Sequence, residues 1–259
     1  MGHIRLGRLP HTRKWQQVVD LLGEAAPVDK IASASADAAE VSLRRASDDP
    51  ALAHSFWLLT QIPIAARSPD FASSLERLGV RVGPDPTLMD VVGAFSQTVD
   101  QHVGHVGGRT DLGELAQHAA AESLAAVAGA DLPSLFSPTA DDVKLAIGRL
   151  AARDQFASLA RDFFARLTRR YLGYYLSREL SNFVGPGMPL PSIDAHTEFN
   201  AALEGHCREA SRIVEEFAGG WFSKTHYEGG ITPEKARRFA YVALGKIRNE
   251  LRKRTEPDG

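Results

Sequence analysis

The feature that most constrains the fold is a run of about thirty residues, Asp154 to Phe183, in which apolar side chains recur at helical spacing. The glycine- and proline-rich segment VGPGMPLP, residues 184–191, ends this run. The apolar positions of the run 154–183 are Phe156, Leu159, Phe163, Phe164, Leu167, Tyr171, Leu172, Tyr174, Tyr175, Leu176, Leu180 and Phe183. These positions form a band too wide for one helix face. The sequence therefore predicts a central helix at about 154–183 that other helices cover on more than one side.

Helical periodicity also dominates the rest of the chain. The strongest further predicted helices cover about 50–62, 87–106, 111–128, 139–151, 194–218 and 233–254, with weaker ones at 12–22 and 28–46. Asp49 is expected to cap the first of these helices, and Pro63 to kink or end it. The segment GVRVGPDP, residues 79–86, is the best candidate for extended structure, and period-two alternation is nearly absent. We therefore predict an all-α fold, a globular bundle of about eight to nine helices around the central helix, with minimal strand.

A chain of 259 residues can bury a sizeable core as one helical domain, which is the predicted organisation over residues 1–259. The alternative is two subdomains that meet near residues 130–140, because charge is divided along the chain. The first 19 residues carry four basic and no acidic side chains; residues 20–142 carry 7 basic and 18 acidic, and residues 143–259 carry 19 basic and 14 acidic. This division favours a partner surface or pairing between the halves.

The compartment is inferred from cysteine usage and from the lack of membrane signals. The single cysteine, Cys207, excludes an internal disulfide and fits a reducing compartment. The basic start leads into no apolar secretory segment, and the most apolar run, residues 56–66, is too short to cross a bilayer. We therefore expect a cytoplasmic protein without membrane contact. Its 23 arginines against 7 lysines, with abundant alanine, favour a bacterial source.

The motif QHVGHVGG at residues 101–108 places two histidines three residues apart, as in half of a metal site. A catalytic zinc needs three protein ligands and a structural zinc four, so this pair is incomplete. His105 lies in the last turn of its predicted helix, where the helix dipole favours a protonated histidine. We therefore expect a structural role for His102 and His105 and no bound cofactor. The alternative is a metal site that His118 completes from the next helix.

A second candidate is GGWFSKTHYEGG, residues 219–230, which is predicted to be a loop between the last two helices. Glycine pairs at both ends would free the backbone and expose large side chains, as in many binding loops. The candidate binding residues are Trp221, Lys224, His226 and Tyr227. In the alternative interpretation, the first glycine pair caps a helix and the aromatic residues anchor a turn in the core.

A third candidate is a basic surface built from both ends of the chain. Its predicted members are Arg5, Arg8, Arg13, Lys14, Arg248, Arg252 and Lys253. We expect these side chains to meet an acidic partner, either another copy of the chain or a phosphate backbone. The alternative is a solvated helix end whose cations interact with the helix dipole.

The sequence lacks several common catalytic motifs, namely GxxxxGK[ST], GxGxxG, GxSxG and HExxH. Nucleotide hydrolases and hydride-transfer enzymes are therefore disfavoured. The leading hypothesis is a non-catalytic scaffold, adaptor or subunit of a larger assembly, which binds a protein partner or further copies of itself. One alternative is a nucleic-acid-binding module, in an accessory or defence system, that uses the basic ends. The other is a metal-dependent helical enzyme centred on His102 and His105.

Overall fold

A computed structural model of the protein describes residues 12–39, 49–133 and 137–253. Its helices are α1 (Arg13–Gly23), α2 (Val28–Ala38), α3 (Pro50–Ala66), α4 (Phe71–Glu76), α5 (Leu88–Val106), α6 (Asp111–Gly129), α7 (Ala140–Arg149), α8 (Arg153–Leu180), α9 (Ile193–Ala210), α10 (Arg212–Tyr227) and α11 (Pro233–Lys253), and a short 3-10 turn (Ser181–Phe183) follows α8. Within these ranges no strand forms, and one isolated bridge joins Val184 to Leu190. The predicted all-α bundle is confirmed. Residues 40–46 of the helix predicted over 28–46 lie outside the described ranges.

The central helix of the bundle is α8, at the position that the sequence predicts. Large side chains around its circumference are almost fully buried, among them Phe156, Phe163, Tyr171 and Tyr175. It packs most extensively against α10, and α6 and α9 also lie along it. A helix that is apolar on several sides is enclosed in this way because an open side would leave apolar surface in water.

An aromatic cluster ties α8 to the helices before and after it in the chain. The Phe56 ring of α3 lies 5.6 Å from that of Phe163 and 5.2 Å from that of Phe239 on α11, measured between centroids. The Phe156 ring stacks on Phe222 of α10 at 4.0 Å. Aromatic pairs at such distances stabilise a core beyond their buried area. The cluster thereby fixes α3, α10 and α11 around the middle of the bundle.

The starts of α3 and α6 are joined by a hydrogen bond between Asp49 and Thr110. The Asp49 carboxylate accepts a hydrogen bond of 2.9 Å from the Ala51 amide, which confirms the predicted helix cap. Its second oxygen accepts from the Thr110 hydroxyl, and that hydroxyl caps α6 by accepting from the Gly113 amide at 2.8 Å. A Cβ at Gly113 would lie 2.7 Å from the Ala51 Cβ, so only glycine permits this close approach.

Two helices differ from their predicted form. The helix predicted over 194–218 is divided at Ser211 into α9 and α10. The Ser211 hydroxyl donates to the Cys207 backbone oxygen over 2.7 Å, and such side-chain bonds compete with the helical backbone pattern. The other difference is in α3, which continues through the buried Pro63 to Ala66, where the sequence predicts a kink or an end. Packing of α3 against α7 offsets the backbone hydrogen bond that proline cannot donate.

Candidate functional site

Basic side chains from both ends of the described chain meet at Asp37 of α2. The Lys14 ammonium donates to the Asp37 backbone oxygen over 3.3 Å. From the other side, Nε of Arg252 lies 3.6 Å from the Asp37 carboxylate. The fold therefore places α1 and α11 beside α2 so that N-terminal and C-terminal cations share one neighbour.

We refer to the predicted set Arg13, Lys14, Arg248, Arg252 and Lys253 as the basic face, of which Lys14 and Arg252 contact Asp37. Arg248 lies one helical turn before Arg252, and the exposed Arg13 precedes Lys14. Lys253 donates to the Glu250 carboxylate over 2.8 Å, and this hydrogen bond raises the pKa of Lys253. Arg5 and Arg8, the other predicted members, lie outside the described residues.

The segment at residues 219–230 is mostly helical, so the prediction of a loop there is wrong. Helix α10 continues to Tyr227, and the turn before α11 occupies only residues 228–232. Gly219 does not cap a helix; it lies at the crossing of α10 and α8, where a Cβ would lie 2.5 Å from the Arg153 backbone oxygen. Glycine is needed there because it lets the two helices approach closely. This is a tertiary requirement that the local pattern does not contain.

The four residues predicted for that loop separate into two groups. Trp221 is half-buried, and its ring lies 4.3 Å from that of Phe239. Lys224, His226 and Tyr227 are exposed in the last turn of α10, and Tyr227 is 91% exposed. Trp221 therefore belongs to the core, whereas the other three face solvent at the helix end.

The histidine motif contributes to a ring pair that the sequence analysis missed. His102 stacks on His54 of α3, with ring centroids 3.9 Å apart and planes within 6°. Burial, and then the neighbouring His102, lower the pKa of His54 from 6.5 to about 4. Burial, and then His105, also lower the pKa of His102. Both rings are therefore neutral near pH 7, which allows them to stack without charge repulsion.

The residues that the structure describes contain no group of three His, Cys, Asp or Glu side chains placed to hold a metal. The His105 ring turns to the backbone oxygen of Gln101, with 2.6 Å between Nδ1 and that oxygen. His118 is exposed on α6. The geometry of His102, His105 and His118 therefore gives no support to the metal-dependent alternative.

A charged cavity of about 290 Å³ lies where α6, α8 and α9 meet. It is lined by Glu122, Asp162, Ala165, Arg166, Arg169, Arg170, Glu204 and Arg208. Five of these residues lie in the predicted central helix, but no cavity was predicted there. Arg166, Arg169 and Arg170 lie within five positions of α8, a sequence pattern that indicates a basic helix face. Glu204 and Arg208 join them only because α9 packs against α8. We refer to this site as the arginine cavity.

No helix in the described part of the chain combines the length and apolar character needed to cross a membrane. The sequence matches no protein-family model, and no curated protein or solved structure is detectably similar to it. Function therefore has to be inferred from the residues and the geometry of this chain.

Proposed function

We propose that this protein is a non-catalytic binding protein, a scaffold, adaptor or subunit of a larger assembly, whose basic face binds an acidic surface of another protein. The observation that carries the proposal is the meeting of Lys14 and Arg252 at Asp37. A localised group of cations attracts an acidic surface over a distance and orients it before contact.

The ion pairs within the basic face are weak enough to be exchanged for contacts with a partner. The Arg252 side chain is 54% exposed and that of Asp37 is 35% exposed. Exposed pairs of this kind contribute about 0–1 kcal/mol, because water solvates both partners well. A carboxylate of another protein can therefore replace Asp37 beside Arg252 at little cost.

Carboxylates within the basic face favour a protein partner over a nucleic acid. Asp37 lies between Lys14 and Arg252, and Glu250 pairs with Lys253. A phosphate backbone carries only negative charge, and these carboxylates would repel it. A protein surface of mixed charge can match both signs.

Sedimentation velocity tests the proposal by comparing the protein with a variant that carries Arg248→Glu, Arg252→Glu and Lys253→Glu. Polyglutamate serves as the acidic polypeptide, duplex DNA as the phosphate backbone, and the protein alone reports self-association. We expect polyglutamate to bind at low salt, the variant to weaken this binding by about tenfold or more, and high salt to abolish it.

A matched control carries Lys235→Glu, Arg237→Glu and Arg238→Glu, the same change of charge in the first two turns of the same helix. The helix dipole favours anions at that end, which offsets part of the loss of the Arg237–Glu234 and Arg238–Glu234 ion pairs. The control should bind polyglutamate as the unmodified protein does, with circular dichroism to show that both variants are folded. Equal loss in both variants would assign the effect to net charge alone. Tighter binding of DNA, or no association at low salt, would disprove the proposal.

A further inference from the structure

The arginine cavity contains two arginines whose charges are already balanced. Arg166 donates to Asp162 over 2.6 Å and lies 3.5 Å from Glu122. Arg170 also forms an ion pair with Glu122. On the side of the cavity formed by α6 and α8, the charges of these arginines are therefore balanced by carboxylates.

The other two arginines, Arg169 and Arg208, form no ion pair among the residues that the structure describes. The Nε of Arg169 is buried without a hydrogen-bond partner in that part of the chain. A buried donor, and above all a charged one, is normally paired because its desolvation costs free energy. A ligand that accepts hydrogen bonds and carries negative charge would remove this cost.

The Arg169 guanidinium is held in place by neutral groups. Its Nη2 donates to the Asn200 side-chain oxygen over 3.0 Å. The Asn200 amide is fixed in turn, because it donates to the His196 backbone oxygen over 2.9 Å. Gly173 leaves space for the guanidinium against α8, where a Cβ would collide with Nη1 of Arg169. The charged group is therefore positioned in advance without a counterion.

We infer that the arginine cavity is a binding site for a small phosphate monoester. The phosphoryl oxygens accept hydrogen bonds from Arg169 and Arg208, since guanidinium groups match phosphate in charge and in donor geometry. Arg169 and Arg208 carry two positive charges against the one negative charge of Glu204, so the cavity keeps a net positive charge that an anionic ligand balances. Glu204 also forms no ion pair in the described chain, and its carboxylate accepts a hydrogen bond from a hydroxyl group in the organic part of the ester.

The size of the cavity restricts the ligand to a small molecule. Its volume of about 290 Å³ is near the lower limit for ligand pockets, typically about 300–1,000 Å³. This inference is independent of the basic face, which is formed by α1, α2 and α11.

Isothermal titration calorimetry at constant ionic strength tests the inference with inorganic phosphate and glycerol 3-phosphate. We expect saturable binding of both, tighter for glycerol 3-phosphate because only it carries carbon-bound hydroxyl groups that can reach Glu204. Arg169→Gln and Arg208→Gln should each weaken binding by about tenfold or more, the usual effect of losing a charge-assisted hydrogen bond. Arg149→Gln, outside the cavity, is the matched control and should bind normally.

Gly173→Ala tests the position of Arg169 without removing its charge, and it keeps the inference falsifiable if Arg169→Gln fails to fold. The alanine should displace the guanidinium and weaken phosphate binding by several fold. Gly93→Ala is the control, because a Cβ at that helical position meets nothing within 4 Å. Absence of saturable binding would overturn the inference. Binding that both Arg169→Gln and Arg208→Gln retain would also overturn it, as would equal binding of chloride at matched ionic strength.

Discussion

Helix α8 contacts α10 and α9 in different ways, although both contacts involve a glycine within a helix. Where α10 crosses α8, Gly219 allows close approach to the Arg153 backbone oxygen. Aromatic rings fill the adjoining space, as in the stacked pair of Phe156 and Phe222. Where α9 lies along α8, Gly173 instead gives space to a guanidinium, and the adjoining space remains open as the arginine cavity.

The difference indicates that stability and binding depend on separate surfaces of one helix. At a filled apolar crossing, a removed atom leaves a void and an added atom forces the helices apart, so either change loses packing contacts. An open charged cavity has few packing contacts to lose, but its charges decide which ligand it binds. We therefore expect substitutions at the crossing to change the free energy of unfolding, and substitutions at the cavity to change anion binding.

The largest expected loss of stability follows Trp221→Ala beside the crossing. The indole packs against Phe239, and removal of a large core aromatic costs about 3–5 kcal/mol. We expect about 3 kcal/mol, at the lower end, because the ring is only half-buried. Urea denaturation measures this difference.

The control Tyr227→Ala removes a 91% exposed ring from the same helix and should change the free energy of unfolding by less than about 0.5 kcal/mol. Similar losses in both variants would contradict the assignment of Trp221 to the core.

A loss of about 2 kcal/mol is expected for Gly219→Ala, as is typical of overpacking. The added Cβ would meet the Arg153 backbone oxygen, which cannot rotate away, so the two helices must separate. Gly220→Ala is the adjacent control, because its Cβ meets nothing within 4 Å. The control should stabilise the helix by up to about 1 kcal/mol. The two urea midpoints should therefore move in opposite directions, and a common direction would show that Gly219 is not a packing position.

Acid is expected to destabilise the whole bundle through His54, which limits the pH range in which the two surfaces can be compared. The unfolded chain binds a proton near pH 6.5, whereas folded His54 binds one only near pH 4. Stability is therefore complete above about pH 7 and falls as the pH decreases toward 4. We expect a loss on the order of 1–2 kcal/mol, reduced by partial solvent exposure. Thermal unfolding at several pH values measures it. His54→Gln should flatten this dependence, whereas the exposed His118→Gln should not.

The helices of this fold could be predicted from local signals, whereas their junctions could not. Thr87 caps α5, which the sequence predicts over 87–106, and Asp49 caps α3 as predicted. The break at Ser211 and the continuation of α10 through Gly219 depend on contacts with distant helices. Glycine has the same local preference in a loop and at a helix crossing, so its sequence pattern does not distinguish them.

The candidate sites were harder to predict because each combines residues that are distant in the sequence. His102 stacks on His54 rather than on the histidine three residues later. The arginine cavity requires Arg208 of α9 beside Arg169 of α8, and only packing of the two helices defines that pair. The basic face remains a prediction from the order of charged residues along the chain, and the structure places two of its members, Lys14 and Arg252, at Asp37.

The smallest expected effect on stability is that of Gly173→Ala, opposite in sign to that of Gly219→Ala. Alanine is favoured over glycine within a helix by up to about 1 kcal/mol. The new Cβ would collide with Nη1 of Arg169, the far end of a flexible side chain that can turn toward the open cavity. We therefore expect urea denaturation to show a gain of less than about 1 kcal/mol, even though phosphate binding weakens. A loss near the value of about 2 kcal/mol expected for overpacking would mean that the Arg169 side chain is part of the packed core. Gly173 and Gly219 would then both be packing positions, which would contradict the proposed difference between the two surfaces of α8.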